Sequence, residues 1–369
     1  MGPVAKPGVM NIAPYVGGES DIPGVERVIK LSSNEGPFGP SDATSAAFEA
    51  ESKALHRYPD GSAIKLRKAI GERYGLDPAK IVCGAGSDEI ISLLCKAYAG
   101  PGDEVLYSEH GFLMYPISAH AAGATPVTAP ETNRTANVDA LLAAQTERTK
   151  IVFLANPNNP TGTYLPSDEV ARLRAGLRDD VLLVIDAAYA EYVVSDDYTP
   201  GIELVDAADN TVMTRTFSKI FAMGGMRLGW AYAPANVIDV LSRVRGPFNV
   251  SAAAMAAGVA AIADRAFEDK SREHNLKWRE WTATELRKLG LDVTPSVGNF
   301  LLVCFGTDPL RNAEAADAFL KSRGIVVRRM GGYGFPNCLR ITIGLEDEMR
   351  AVVDTLSKFL GRNDTGADA

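Results

Sequence analysis

Short apolar runs alternate with amphipathic stretches along most of the chain, and each run stops at residues that cannot continue a strand. Residues 81–83, 103–107, 150–154, 181–185 and 211–213 read as strands. Runs this apolar suit a sheet covered on both faces. Between them, helical spacing marks 41–55, with Ser41 or Asp42 as N-cap, 63–74, stopped by Gly75, and 166–178. Further helices are predicted to start at Ser87 and across 111–123, and 228–233 reads as one more strand. Strand–helix alternation of this kind predicts an α/β fold with a mostly parallel sheet between helices.

From Gly246-Pro247 the pattern changes. A small-residue-rich helix is followed by a long charged helix over 266–289, which reads as a mostly solvated connector. Short strands at 291–293, 299–303, 324–328 and 339–343 then mix with a helix at 312–323 and a final one. The expected division is a large domain, 41–250, and a smaller α+β domain built from 1–40 plus 251–369.

Composition alters this picture mainly through charge. Lys plus Arg number 38 against 46 Asp plus Glu, a net −8 without any basic block, so nucleic acid and anionic membrane are poor partners. An anionic ligand therefore needs a local concentration of cations. The four cysteines show no CxxC and no metal-ligand spacing, and read as small buried hydrophobes in a reducing compartment. No run reaches membrane-spanning length and the N-terminus has no apolar leader core, so a cytoplasmic protein is expected.

The chemistry gathers at strand ends. In TVMTRTFSKIFAMGGMRLGW (211–230), Lys219 is either a solvated surface lysine or an amine held against an electrophilic carbonyl. The second reading suits a Schiff base with pyridoxal 5'-phosphate or with a substrate. Thr216, Ser218 and Arg227 supply hydroxyls and a guanidinium fork suited to a phosphate. The Gly-containing turn before Ser87 and Asp88 puts helix N–H groups at one point, which suits a phosphate or simply connects two elements. Asn159 lies in a proline-rich corner after 150–154, and Asp186 ends the most apolar strand, where it caps a turn or pairs with a buried cation. If Lys219 carries the cofactor, Asp186 fits the acid that keeps its ring nitrogen protonated. Tyr189 and Asn159 then donate to the ring's phenolate oxygen, and Phe112 stacks on its face. Tyr15, Asn34 and Glu35 are the useful members of the Gly/Pro-rich start, Tyr58 stands in a polar turn, and Tyr115 shares a helix with Phe112.

GAGSDEI, NPNNPTG, DAAYAEY, RTFSKIFAMGGMRLGW, NF and LRITIG, in this order over nearly the whole chain, resemble fold-type I PLP-dependent aminotransferases. LSSNEGPFGPS and RYPDG resemble the histidinol-phosphate aminotransferase family more particularly. The resemblance implies Lys219 as the Schiff-base lysine, Asp186 at the pyridine nitrogen, and Tyr189 with Asn159 at the phenolate. It places Phe112 on the ring and Ser87, Asp88, Thr216, Ser218 and Arg227 at the phosphate. It further implies that Arg340 takes the substrate's carboxylate, that Arg328, Tyr15 and Asn34 meet the substrate, and that Tyr58 reaches the partner's cofactor phosphate in a homodimer. The implied reaction moves an amino group between L-histidinol phosphate and 2-oxoglutarate. Alternatives are an aromatic aminotransferase, a threonine-phosphate decarboxylase on the same scaffold, and a non-catalytic relative. Two departures bear on specificity: Gly36 stands where SNENPFGP has a second Asn, and the doublet Arg328-Arg329 leaves open which side chain faces inward.

Overall fold

The computed structural model describes residues 2–14, 17–24 and 27–361. Seven strands form the large sheet: β1 Ile81–Gly84, β2 Glu104–Ser108, β3 Thr125–Ala129, β4 Thr149–Ala155, β5 Leu182–Asp186, β6 Thr211–Thr216 and β7 Gly229–Tyr232. Their spatial order is β1-β7-β6-β5-β4-β2-β3; all neighbours run parallel except β7, which is antiparallel to both β1 and β6. Helices α1 Asp42–Glu51 and α2 Ile64–Tyr74 precede these strands in sequence, α3 Ser87–Tyr98, α4 Met114–Ala122, α5 Val138–Ala144, α6 Ser167–Gly176 and α7 Ile202–Ala207 lie between them, and α8 Ala235–Val244 follows. The central strands are buried throughout because alternate side chains enter different layers. Val152, Leu154, Leu183 and Ile185 pack with Val170 and Leu173 of α6, whereas Ile151, Phe153 and Val184 pack with Ile91, Leu94 and Tyr115. Each such fully buried side chain contributes about 1.5–3 kcal/mol.

Four further helices follow: α9 Ala252–Ala263, α10 Arg265–Lys288, α11 Ala313–Lys321 and α12 Glu346–Phe359. The second sheet is antiparallel, with β8 Asp292–Val293, β9 Phe300–Cys304, β11 Phe335–Thr342 and β10 Arg328–Met330 side by side in that order. Leu301, Val303, Leu339 and Ile341 bury against Ala316 and Leu320 of α11 and Val352 and Leu356 of α12. Ile29–Lys30 pairs in parallel with Ile325–Val326, which ties the N-terminal segment to this half. Between residues 250 and 251, where the sequence suggested a boundary, the chain passes from α8 to α9, yet Ala254, Ala257 and Ala261 of α9 pack with Leu66 and Ile70 of α2.

Two expectations are corrected. The helix over 266–289 is not a mostly solvated connector: Ser271, Asn275, Trp278, Thr282 and Leu286 recur every three or four residues and are buried. Much of that stripe is polar, so hydropathy did not reveal it. The reading of all four cysteines as unpaired also fails, since Cys304 and Cys338 stand directly opposite each other on β9 and β11 and form a disulfide. Cys83 and Cys95 are free and buried, and burial pushes both thiols up to about 12.

Candidate active site

β4, β5 and β6 run parallel and adjacent, with Ala155 opposite Asp186 and Asp186 opposite Thr214. Their carboxyl ends therefore release three turns at one edge of the sheet, where open α/β sheets bind ligands. The turn after β4 holds Asn159 between two cis X–Pro bonds, Asn156-Pro157 and Asn159-Pro160. β5 delivers Asp186 and then Tyr189; the turn after β6 delivers Ser218 and Lys219. These side chains line one cavity of about 270 Å³, together with Ser87, Asp88, Phe112, Asn34, Arg227, Arg328, Tyr333 and Arg340.

Asp186 marks the closed end. It is 5% exposed and accepts hydrogen bonds from the Tyr115 hydroxyl at 2.8 Å and from Thr214 Oγ1 at 3.2 Å. Burial raises its pKa to about 6 despite those donors, with the negative Asp88 adding a little. Among the described residues no Lys or Arg forms an ion pair with it. A buried carboxylate that faces the cavity and is paired with none of its cations fits a ligand that brings its own, such as a protonated ring nitrogen.

Lys219 occupies the middle. Its Nζ donates to the Ser33 carbonyl at 3.3 Å and lies 5.7 Å from the centre of the Tyr189 ring. Burial first, and then the nearby Arg340, lower its pKa to about 8. Tyr189 Oη accepts from Asn34 Nδ2 at 2.8 Å, so its own proton is free to point into the cavity. Burial keeps that phenol well above its ordinary value and hence protonated. Asn34 itself has a left-handed backbone (φ 55°), held by its N–H to Thr342 Oγ1 at 2.9 Å and by Asn299 Nδ2 to its carbonyl at 3.0 Å.

The open end is built from the start of α3 and the turn after β6. Gly86 has φ 82°, and a Cβ there would run into the Arg227 guanidinium, so the glycine allows Arg227 to cross the helix N-terminus. Arg227 donates to Asp88 Oδ2 at 3.0 Å, and these side chains are 48% and 41% exposed. Thr216 Oγ1 donates to Ser218 Oγ at 3.0 Å, and the first N–H groups of α3 lack intrahelical acceptors. Hydroxyls, a guanidinium and a helix N-terminus on one side, with Asp186 on the other and Lys219 between, form a donor set that fits pyridoxal 5'-phosphate.

On the substrate side, Arg340 is buried. It donates to Asn159 Oδ1 at 2.5 Å and to the Ser32 carbonyl at 3.0 Å, and its Nε has no partner among the described residues. Arg328 stands opposite Arg340 across β10 and β11 and lines the cavity, whereas Arg329 turns outward to Glu314 at 3.0 Å. Gly18 brings the N-terminal segment to the cavity wall, where a Cβ would meet Ser32 Oγ at 2.7 Å. Gly36 approaches the lysine-bearing turn so closely that a Cβ would meet the Ala222 methyl at 2.7 Å. A side chain at 36 would therefore require that turn to shift.

Tyr58 is not brought into this cavity: it is 84% exposed and stacks on Phe248, centroids 4.7 Å apart. Tyr15 lies outside the described residues. Tyr115 was noted in the sequence only as a neighbour of Phe112, and its bond to Asp186 carried no signal beyond that spacing.

Fold and site together define a fold-type I aminotransferase. Residues 26–356 match the family described as aminotransferase class I and II. A histidinol-phosphate aminotransferase from Paramagnetospirillum magneticum is 64% identical over 97% of this chain and 99% of its own length. Its counterpart from Rhodospirillum rubrum is 60% identical over 97% of each chain. Among solved structures, histidinol-phosphate aminotransferase from Sinorhizobium meliloti in complex with pyridoxal-5'-phosphate superposes with a TM-score of 0.86. It is 27% identical, over 91% of this chain and 92% of that one. The chain belongs to the histidinol-phosphate aminotransferase family.

Proposed function

We propose that the protein transfers the amino group of L-histidinol phosphate to 2-oxoglutarate, giving imidazole acetol phosphate and L-glutamate, as a step of histidine synthesis. The observation that carries this reading is the convergence of Asp186, Lys219, Tyr189 and Arg340 on one cavity at the carboxyl edge of the sheet. When bound, pyridoxal 5'-phosphate supplies an electron sink for the charge left on the substrate's Cα and carries the amino group between the two half-reactions.

Thr216, Ser218, Arg227 and the start of α3 would hold the phosphate, Phe112 would cover the ring face and Asp186 would meet the ring nitrogen. Tyr189 and Asn159 donate to the ring's phenolate oxygen. Lys219 would anchor the cofactor, and its Nζ, when free, is placed to take the proton from the substrate's Cα. With a pKa near 8, a fraction on the order of a tenth of that amine is neutral at pH 7, against about one part in three thousand for an ordinary lysine. Arg340 takes the carboxylate of the oxo acid, and Arg328 with Tyr15 takes the far end of either substrate. Both a phosphate and a carboxylate suit a guanidinium fork, which lets one pocket serve both halves of the reaction.

The test is a substrate panel with 2-oxoglutarate. Histidinol phosphate should exceed tyrosine and phenylalanine in kcat/KM by at least about tenfold, a difference of roughly 1.4 kcal/mol in transition-state binding. A preference for the aromatic amino acids moves the assignment to an aromatic aminotransferase, and carbon dioxide release without an oxo acid moves it to a decarboxylase.

The working unit is a homodimer in which Tyr58 reaches the partner's cofactor phosphate. The exposed stack of Tyr58 on Phe248, with Leu55 77% exposed nearby in sequence, supports this, since an apolar cluster of that kind calls for a cover. Sedimentation at micromolar concentration checks it, and a monomer with full activity refutes it. No helix among the described residues is long and apolar enough to cross a membrane. We place the enzyme in the cytoplasm on its ordinary apolar and charged content, with the Cys304–Cys338 bridge as the feature that argues against it, and cell fractionation tests that placement.

A further inference from the structure

We propose that Tyr115 is a positioning residue for the cofactor's ring nitrogen: its hydroxyl fixes the Asp186 carboxylate in the orientation that meets that nitrogen. The inference rests on Asp186 being the ring-nitrogen partner.

Tyr115 sits in the first turn of α4, is 0% exposed, and donates to Asp186 Oδ2 at 2.8 Å. The ring is clamped. It stacks on Phe153 of β4 with centroids 4.5 Å apart and planes 3° apart, and meets Phe112 edge-on at 5.9 Å and 89°. Phe112 lines the cavity, and the Tyr115 N–H donates to the Phe112 carbonyl at 2.9 Å. One residue therefore links the wall that covers the ring to the acid that meets its edge. Thr214 Oγ1 serves the other Asp186 oxygen at 3.2 Å and the Ala188 N–H also reaches the carboxylate, so the group is held against rotation from several sides. Burial and the adjacent Asp186 charge keep the Tyr115 phenol protonated, and its single proton points at Asp186. A phenylalanine would fill the same core space and take the phenol donor away from Oδ2. The hydroxyl thus has a task that packing does not explain.

The experiment compares dissociation constants of pyridoxal 5'-phosphate and its 1-deaza analogue, which lacks the ring nitrogen, for the refilled full-length protein. In Tyr115→Phe the natural cofactor should bind about tenfold or more weakly, the loss expected for a hydrogen bond to a charged group. The analogue should change less than twofold, because it offers Asp186 nothing to meet. A merely structural role weakens both alike and overturns the proposal. Asp186→Asn should collapse the preference for the natural cofactor. If it does while Tyr115→Phe leaves the preference intact, the Tyr115 assignment fails alone; if Asp186→Asn leaves it intact, the reading of Asp186 fails first. Should Tyr115→Phe not fold, 3-fluorotyrosine at 115, a stronger donor of nearly the same shape, should raise the preference, and an unmoved preference overturns the proposal.

Discussion

The two ends of the cavity are built on opposite plans. At the closed end, Asp186 is buried and both of its oxygens have donors before any ligand arrives. At the open end, Arg227 and Asp88 pair with each other while about half exposed, an arrangement that a phosphate bound there would partly break. Water competes for the open-end pair and screens it, so its bond is cheap to exchange. Asp186, 5% exposed, is screened far less, and its charge is costly until a cation meets it. The difference teaches where the site is preorganised and where it adapts.

The largest effect is expected between the two ends, at Lys219. Lys219→Ala should abolish the cofactor's visible absorbance and lower turnover by a hundredfold to ten-thousandfold or more, the range for losing a positioned base. A variant that stays yellow and active breaks the assignment. Next comes the closed end: Asp186→Asn should cost on the order of a hundredfold in kcat, measured at saturating cofactor.

The same acid has a pH signature in the cofactor-free protein. Its folded pKa, about 6, lies above the ordinary 3.8, so the folded chain holds this proton more tightly than the unfolded one. The stability gained from protonated Asp186 is complete below about pH 4 and is lost as pH rises through 6. Cofactor-free Asp186→Asn should therefore be the more stable protein above pH 6, by up to roughly 3 kcal/mol. Urea midpoints across pH 4–8 check this, and parallel curves for the two proteins count against it.

Smaller changes fall on the substrate side and the open end. Arg340→Ala should lower kcat/KM for 2-oxoglutarate about tenfold to a hundredfold, the loss of a charged hydrogen-bond donor. Cofactor affinity should move much less. Arg227→Ala should have the mildest consequence, a severalfold weaker hold on the cofactor that shrinks with added salt. If Arg227→Ala proves more damaging than Asp186→Asn, the contrast between the ends is reversed.

The central sheet was legible because β4, β5 and β6 are short apolar runs closed by prolines, an acid and hydroxyls. Asp186, Asn159 and Lys219 could be read at the strand ends for the same reason. What stayed hidden depends on pairs distant in the chain. Nothing near Tyr115 announces a bond to a residue seventy-one positions away, and Cys304 meets Cys338 only because β9 and β11 pair in that register. The buried stripe of α10 escaped because Ser271, Asn275 and Thr282 are polar. The doublet at 328–329 divided only when β10 took its place beside β11, turning one guanidinium into the cavity and the other toward Glu314.

Asn34 accepts from Asn299, donates to Thr342 through its N–H, and holds Tyr189 with its amide. A chain leaving the ribosome thus displays Asp186 and Lys219 well before Asn299, Arg340 and Thr342 emerge. Until that last strand docks, the early asparagine has nothing to grip, and the aldehyde-bearing cofactor meets a half-walled groove. Competence for the reaction comes only near the end of synthesis, so truncated products should be poor traps for a reactive and scarce vitamin derivative.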